Sequence, residues 1–290
     1  MTENAVQPDP DSPAPVLLVG AVTWDVVDGQ RVPGGAVTYA ARVATALGIR
    51  AYALVAAGDD ANLDAFAEHE LAVVRLEQTM TLEHRFEASV RSQRVVSRPH
   101  RGLHPSDLPS NWPPPRTMVL GTLLSDDIDT PAFLELGVEE AALIAQGMQR
   151  RRLDDGAVRV VGAPSPALLG AARPNVTIFL ARDEVARWSP GALARLASRV
   201  ERVIVTQGAE GARVINTDGS EMRIEPVAAQ PIDSTGAGDV FAAAFILGLR
   251  AGLMTAGRLA AAAAACEVET LGPAPLPPLA QIAARAGVAL

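Results

Sequence analysis

The stretch Asp233-Ser234-Thr235-Gly236-Ala237-Gly238-Asp239 runs straight into Val240-Phe241-Ala242-Ala243-Ala244-Phe245, and this junction decides how the chain reads. Small residues let a ligand come close to the backbone, and the apolar run that follows has the pattern of an amphipathic helix start. The N–H groups of a first helical turn point at such a ligand, and the helix dipole favours an anion there. Asp239 sits in that same turn, where a bound phosphate would repel it, so its placement calls for a chemical reason. As a general base it could take the proton from a hydroxyl attacking a γ-phosphoryl group, while the amides of Gly236, Ala237 and Gly238 stabilise the transferring charge. A lone GAGD would read as a glycine-rich loop with a helix-capping aspartate. The seven-residue run joined to a small-residue helix favours phosphoryl transfer.

Composition narrows the rest. The chain has 290 residues, 49% of them hydrophobic and 4% aromatic, so a large α/β core must come from aliphatic side chains. A formal net charge of -8 argues against nucleic acid as a partner. All 25 basic residues are arginine. Without lysine, Walker-type phosphate loops and Schiff-base chemistry are excluded, and any anion must be held by arginine, backbone amides, a helix N-terminus or a metal. Cys266 is the single cysteine and reads as a buried structural thiol. Residues 1–14 read as a disordered leader without the features of a signal peptide, and no apolar run reaches membrane-spanning length. A soluble cytoplasmic protein is the expectation.

Outward from the junction, the chain alternates strand and helix. Val16–Val19, the helical Ala36–Leu47, Ala51–Ala56 and a helix through Phe66 predict a parallel sheet with helices on its faces. The stretch from Val73 to about residue 100 alternates loosely and reads as a small antiparallel flap. All four histidines, His69, His84, His100 and His104, fall in or beside it; no spacing matches a metal-ligand pair, and they read as surface histidines. Met118–Leu120, Val158–Val161, Val176–Leu180 and Val203–Thr206 read as further strands, with helical segments between them. Ala212–Asn216 and Met222–Glu225 flank Asp218-Gly219 as a hairpin. Gly236–Ala251, Thr255–Cys266 and Pro277–Ala286 read as helices.

These motifs, in this order, resemble the ribokinase (PfkB) family of carbohydrate kinases along nearly the whole chain. Asp233–Asp239 is similar to its C-terminal signature, and Val19-Gly20-Ala21-Val22-Thr23-Trp24-Asp25 to its first strand ending in a substrate-binding aspartate. Gly34-Gly35-Ala36-Val37-Thr38-Tyr39 resembles its di-glycine hinge, and Val205–Ala212 its nucleotide-side T-x-G-x-x-G segment. The resemblance implies a three-layer α/β/α sandwich over residues 15–290 with a mainly parallel sheet and a β-lid at about 73–100. It implies ATP as donor with Mg²⁺, and a small sugar or polyol as acceptor. Asp239 would be the base above the Gly236–Gly238 anion hole. Asp25, Gly34, Gly35 and Thr38 would face substrate, and Thr206, Gly208, Gly211 and Thr235 the nucleotide. Glu184 and Asp233 would serve metals, Asp233 at a monovalent-cation (K⁺) site. Half-exposed apolar residues of the lid could pair two subunits into a homodimer. A non-catalytic sugar or nucleotide sensor and a nucleoside kinase are the alternatives.

The chain departs from the family pattern at Ala36 and Tyr39, where lysine and asparagine follow the di-glycine in many sugar kinases. It departs again at Ala181, which replaces the asparagine of N-x-x-E and leaves only Glu184. Gly34–Thr38, Pro105–Pro109 and Glu267–Pro275 look more like the inositol-kinase relatives.

Overall fold

The computed structural model describes residues 15–87, 90–99 and 101–289; the expected leader and His100 lie outside them. In chain order the first elements are β1 (Val16–Ala21), β2 (Thr23–Val27), β3 (Gln30–Gly34), α1 (Ala36–Ala46), β4 (Tyr52–Ala57), β5 (Glu70–Arg75), β6 (Met80–Glu87) and β7 (Val90–Ser97). The middle of the chain adds β8 (Thr117–Gly121), α2 (Thr130–Leu134), β9 (Glu140–Ile144), β10 (Arg150–Arg152), β11 (Val158–Val160) and α3 (Pro166–Gly170). Then come β12 (Val176–Ala181), α4 (Arg182–Val185), α5 (Ala192–Ala197), β13 (Arg202–Thr206), β14 (Ala212–Asn216) and β15 (Glu221–Ile224). The chain closes with α6 (Ala237–Gly248), α7 (Leu253–Glu267) and α8 (Leu279–Ala286).

Nine strands form the central sheet in the order β15-β14-β13-β12-β9-β8-β1-β4-β5. From β5 to β13 every neighbouring pair is parallel, and only β14 runs against the rest. Strand β1, VLLVGA, is buried at every position, as a strand covered by helices on both faces must be. The chain walks outward from β1 to β4 and β5, then returns to lay β8 on the other side of β1. That reversal is the topological switch point of the sheet, where the carboxyl ends of the strands leave a crevice. Helices α6 and α7 pack on the sheet, with Phe245 of α6 meeting Phe179 of β12 edge to face at 5.8 Å. The scarcity of aromatics is met by leucine, valine and long runs of buried alanine on α1, α6 and α7.

A second sheet of four strands, β3-β2-β6-β7, forms the lid. Three expectations need correction here. Val73 and Val74 belong to β5 of the central sheet, so the lid begins at β6 rather than at residue 73. Half of the lid comes instead from Thr23–Gly34, folded back through Asp28 (φ 49°) and Gly29 (φ 78°), so Asp25 sits on a lid strand and not at the end of β1. Between β4 and β5 the helix expected through Phe66 is a single 3-10 turn, Asp64–Phe66.

The middle of the chain brings two more corrections. Strand β9, with the sequence EAALI, fills the sheet between β8 and β12, where helical propensity pointed to a helix. Tertiary packing decides it, because Ala141, Ala142, Leu143 and Ile144 are all buried between the flanking strands and the helices. Val158–Val160 lies outside the central sheet, in a hairpin with β10 that bridges to the lid at Arg94 and Ala157. The hairpin of β14 and β15 forms as expected, and Cys266 is buried and free.

Candidate active site

The carboxyl ends of five parallel strands open on one cavity of about 790 Å³. Thr23 follows β1, Leu123 follows β8, Gln146 follows β9, and Ala181 and Thr206 end β12 and β13; all of them line it. The first turn of α6 and the inner face of the lid complete the walls.

Gly236, Ala237, Gly238 and Asp239 all line the cavity. Gly236 caps α6 with φ 78°, and a β-carbon there would stand 2.1 Å from the Tyr39 ring, so only glycine fits. Ser234 O receives Ala237 N at 3.4 Å and Gly236 O receives Val240 N at 2.8 Å, which fixes the turn that aims the next amides outward. Thr235, Thr206, Gly208 and Gly211 line the same cavity. Gly208 and Gly211 have φ 58° and 84°, and a β-carbon on Gly211 would lie 2.1 Å from Ile224 O. Arg182 braces this turn by donating to Gln207 O at 2.9 Å and Glu210 Oε1 at 2.7 Å. Beyond it the wall is apolar, formed by Pro226, Val227, Ala264 and Val268.

Across the cavity, Asp25 and Gly35 sit with Thr23, Tyr39, Leu82, His84 and Gln93. Asp25 Oδ1 accepts from Thr23 Oγ1 at 3.0 Å and lies 3.6 Å from His84 Nε2. Gly35 (φ 97°) leaves no room for a side chain, since a β-carbon would meet Ala21 O at 2.4 Å. His84 and His69 are buried, not surface residues. His69 is structural, with Ala51 N donating to its Nδ1 at 3.2 Å and Ala41 O 2.9 Å from its Nε2. Among the described residues, no cluster of His, Cys, Asp and Glu is placed to hold a metal.

Two features to which the sequence assigns no role join these walls. Tyr39, on α1, lies between them: its ring packs on Gly236, and burial, reinforced by the Asp25 and Asp239 carboxylates, holds its hydroxyl far above the usual phenol range. Beneath it Arg42, 5.5 Å from the Tyr39 ring centroid, makes a bidentate pair with Glu267 at 3.1 and 3.0 Å. Both partners are buried, and burial keeps Glu267 above the ordinary carboxylate range despite the guanidinium. The pair ties α1 to the end of α7. Arg150 is the arginine of the cavity wall, its Nη2 donating to Gln146 Oε1. The spacing Tyr39, Arg42 on one helical face was the available signal.

Four residues expected at the site stand behind its walls. Gly34 lies under Asp25, where a β-carbon would be 2.7 Å from Oδ2. Thr38 is buried, and its hydroxyl donates to Gly34 O at 2.8 Å. Glu184 accepts from Ala181 N at 2.8 Å, with burial raising its carboxyl above the usual range against the pull of that amide and of Arg150. Asp233 accepts from Thr235 N at 2.9 Å and Gly272 N at 3.4 Å, bracing the loop that precedes α6.

This sheet order, lid and cavity define a ribokinase-like fold. Residues 164–279, which include the first turn of α6, match the pfkB family carbohydrate kinase model. The chain is 31% identical over 260 residues to an inositol 3-kinase of Oryza sativa subsp. japonica, a match covering 82% of this chain and 63% of that protein. It therefore spans less than two thirds of that relative's length. A pyrophosphate-dependent kinase in the ribokinase family, complexed with a pyrophosphate analog and myo-inositol, superposes with a TM-score of 0.71 at 18% identity, covering 89% of this chain and 96% of that one. Arabidopsis thaliana ribokinase, complexed with ribose and ATP, gives 0.65 at 17% identity, covering 95% and 99%. No helix of the described residues is long and apolar enough to cross a membrane.

Proposed function

We propose that this protein is an ATP-dependent kinase that transfers the γ-phosphoryl group to a hydroxyl of a small polyol. One observation carries the reading: Asp239, in the first turn of α6, opens on the same cavity as Asp25. Asp239 takes the proton of the attacking hydroxyl, and the amides of Gly236, Ala237 and Gly238 hold the transferring group as charge builds on it. Asp25 fixes the acceptor. Arg150 supplies positive charge to a cavity that also carries two carboxylates.

The donor follows from the wall beyond Gly211. Pro226, Val227, Ala264 and Val268 offer apolar surface that a nucleobase can cover and that pyrophosphate has no use for. Supporting relatives divide on this point, one solved with a pyrophosphate analog and one with ATP. ATP would bring Mg²⁺, which would neutralise phosphate charge. Glu184 is the candidate protein carboxylate toward that ion, set behind the cavity residue Ala181, whose amide its Oε2 accepts. Asp233 is the candidate for a monovalent-cation site, although both its oxygens already receive backbone amides.

The acceptor class rests on the inositol 3-kinase relative and on the hydroxyl-accepting chemistry of Asp25. An assay of ATP and pyrophosphate against myo-inositol, ribose and inosine tests all three statements. ATP-dependent phosphorylation of myo-inositol is the expected result. Preference for pyrophosphate would overturn the donor, and turnover of inosine alone would overturn the acceptor.

A further inference from the structure

One cationic side chain enters the cavity from the middle of the sheet. Strand order places β9 between β12 and β8, so its carboxyl end lies between the donor-side strands β12 and β13 and the acceptor-side strands β8 and β1. The chain leaving β9 puts Gln146 and Arg150 into the cavity wall. The turn between them is tightly built. Gly147 N donates to Thr122 O at 3.2 Å, and a β-carbon on Gly147 would lie 2.5 Å from Leu123 C and 2.6 Å from Leu124 N. Asp127 Oδ2 holds those two neighbours, accepting from Leu123 N at 2.7 Å and Leu124 N at 3.2 Å. Arg150 then opens β10 opposite Val160, and it is half-buried. Its Nη2 donates to Gln146 Oε1, which sets the orientation of the guanidinium. Its charge reaches Glu184 and pulls that carboxyl down against the effect of burial.

Among the described residues Arg150 is the one arginine of the cavity wall, in a chain that has no lysine. A phosphoryl group passing from donor to acceptor must cross the space above β9, with charge spread over its equatorial oxygens. We propose that Arg150 grips those oxygens from the β9 side, while the amides of α6 hold the group from the helix side, and that Gln146 is the residue that positions it. The inference deepens the kinase reading and rests on it for the reaction. A planar guanidinium matches phosphate oxygens with paired donors, so Arg150 is a catalytic residue in this scheme. The neutrality of its partner matters. The glutamine oxygen fixes one N–H without cancelling the charge, whereas a carboxylate there would form a salt bridge and compete with the phosphoryl oxygens. The step balances without further reactants: the acceptor oxygen bonds to the γ-phosphorus, ADP leaves, and the hydroxyl proton passes to Asp239. Arg150 stays protonated throughout.

The test compares wild type with Arg150→Met and Gln146→Glu, using ATP and myo-inositol. Arg150→Met should lower kcat about 10²–10³-fold, the scale of one lost donor to transition-state charge, with ADP binding near wild type. Gln146→Glu keeps an oxygen for the guanidinium and gives it a stronger partner. Its melting temperature should hold or rise while kcat falls about tenfold, the scale of one charged hydrogen bond taken from the phosphoryl group. A bond that only supports the fold predicts wild-type turnover in Gln146→Glu, and that result overturns the positioning role. Turnover of Arg150→Met near wild type overturns the grip, as does an effect on thermal stability alone. If wild type phosphorylates no acceptor, the kinase reading fails separately, and calorimetric titration of ADP with and without aluminium fluoride, a mimic of the transferring group, decides the grip. Tightening by fluoride in wild type that is lost in Arg150→Met supports it. Equal tightening in both proteins, or none in wild type, overturns it.

Discussion

The two ends of the cavity are built from different materials. The proposed phosphate end is backbone: a helix first turn capped by Gly236 and a turn through Gly208 and Gly211, all with positive φ. The proposed acceptor end is side chain: Asp25, His84, Gln93 and Tyr39 reach it from three lid strands and a helix. Backbone sites are local in sequence, because consecutive amides make them. Side-chain sites are assembled by register across strands far apart in the chain. The first kind can be read from glycines; the second needs the fold.

Substitution at the seam between the two ends should have the largest effect. Asp239→Asn keeps the turn of α6 and the shape of the cavity while removing the base. Turnover should fall about 10²–10⁴-fold, with ADP binding and melting temperature near wild type. Single-turnover phosphoryl transfer beside nucleotide titration measures both. Near-normal turnover would remove Asp239 from the chemistry and leave the phosphate end as a binding device only.

The contrast weakens at Arg42 and Glu267, a side-chain pair that ties the acceptor-side helix α1 to the donor-side helix α7. Arg42→Met strands a buried carboxylate and should cost about 3–5 kcal/mol of stability in urea unfolding. Arg42→Met combined with Glu267→Leu should recover most of that loss, since the pair then becomes apolar. A small loss in the single variant would mean that water reaches Glu267.

Gly236→Ala attacks the backbone end directly. The positive φ costs about 1–2 kcal/mol for an alanine, and the clash with the Tyr39 ring adds about 1–3 kcal/mol of overpacking. Lower melting temperature together with a higher ATP KM is the expected outcome. Wild-type values for both would show that the anion-binding turn does not depend on this conformation.

The same division explains what could be read before folding. Ser234–Asp239 and the turn at Gly208 and Gly211 line the cavity together, because each is one continuous segment in which Gly236, Gly208 and Gly211 sit where positive φ is needed, while Asp233 stands behind the wall. Asp25 was recognised as a residue but assigned to the wrong sheet. Asp28-Gly29, a hairpin turn that follows Val26-Val27, is the local sign that Thr23–Gly34 doubles back into the lid. Strand β9 was illegible because Glu140-Ala141-Ala142 favours a helix locally, and only the space between β8 and β12 overrules it. His84 carried no local signal at all. Its pairing with Asp25 comes from the registers of β2, β6 and β7.

Tyr39 offers the finest probe, since it belongs to neither end and touches both. Its hydroxyl stays protonated, held far above the phenol range by burial and by Asp25 and Asp239, so it can act as a donor. Tyr39→Phe keeps the ring on Gly236 and over Arg42 and should leave stability within about 1 kcal/mol. Loss of one net hydrogen bond predicts a roughly fivefold drop in kcat/KM. The split between kcat and KM then says which carboxylate the hydroxyl serves. A donor to Asp239 acts on the chemical step, so removing it lowers kcat and leaves the acceptor KM near wild type. A donor to Asp25 leaves kcat in place and raises the acceptor KM instead. The first outcome makes Tyr39 part of the phosphate end. The second leaves the backbone and side-chain halves separate.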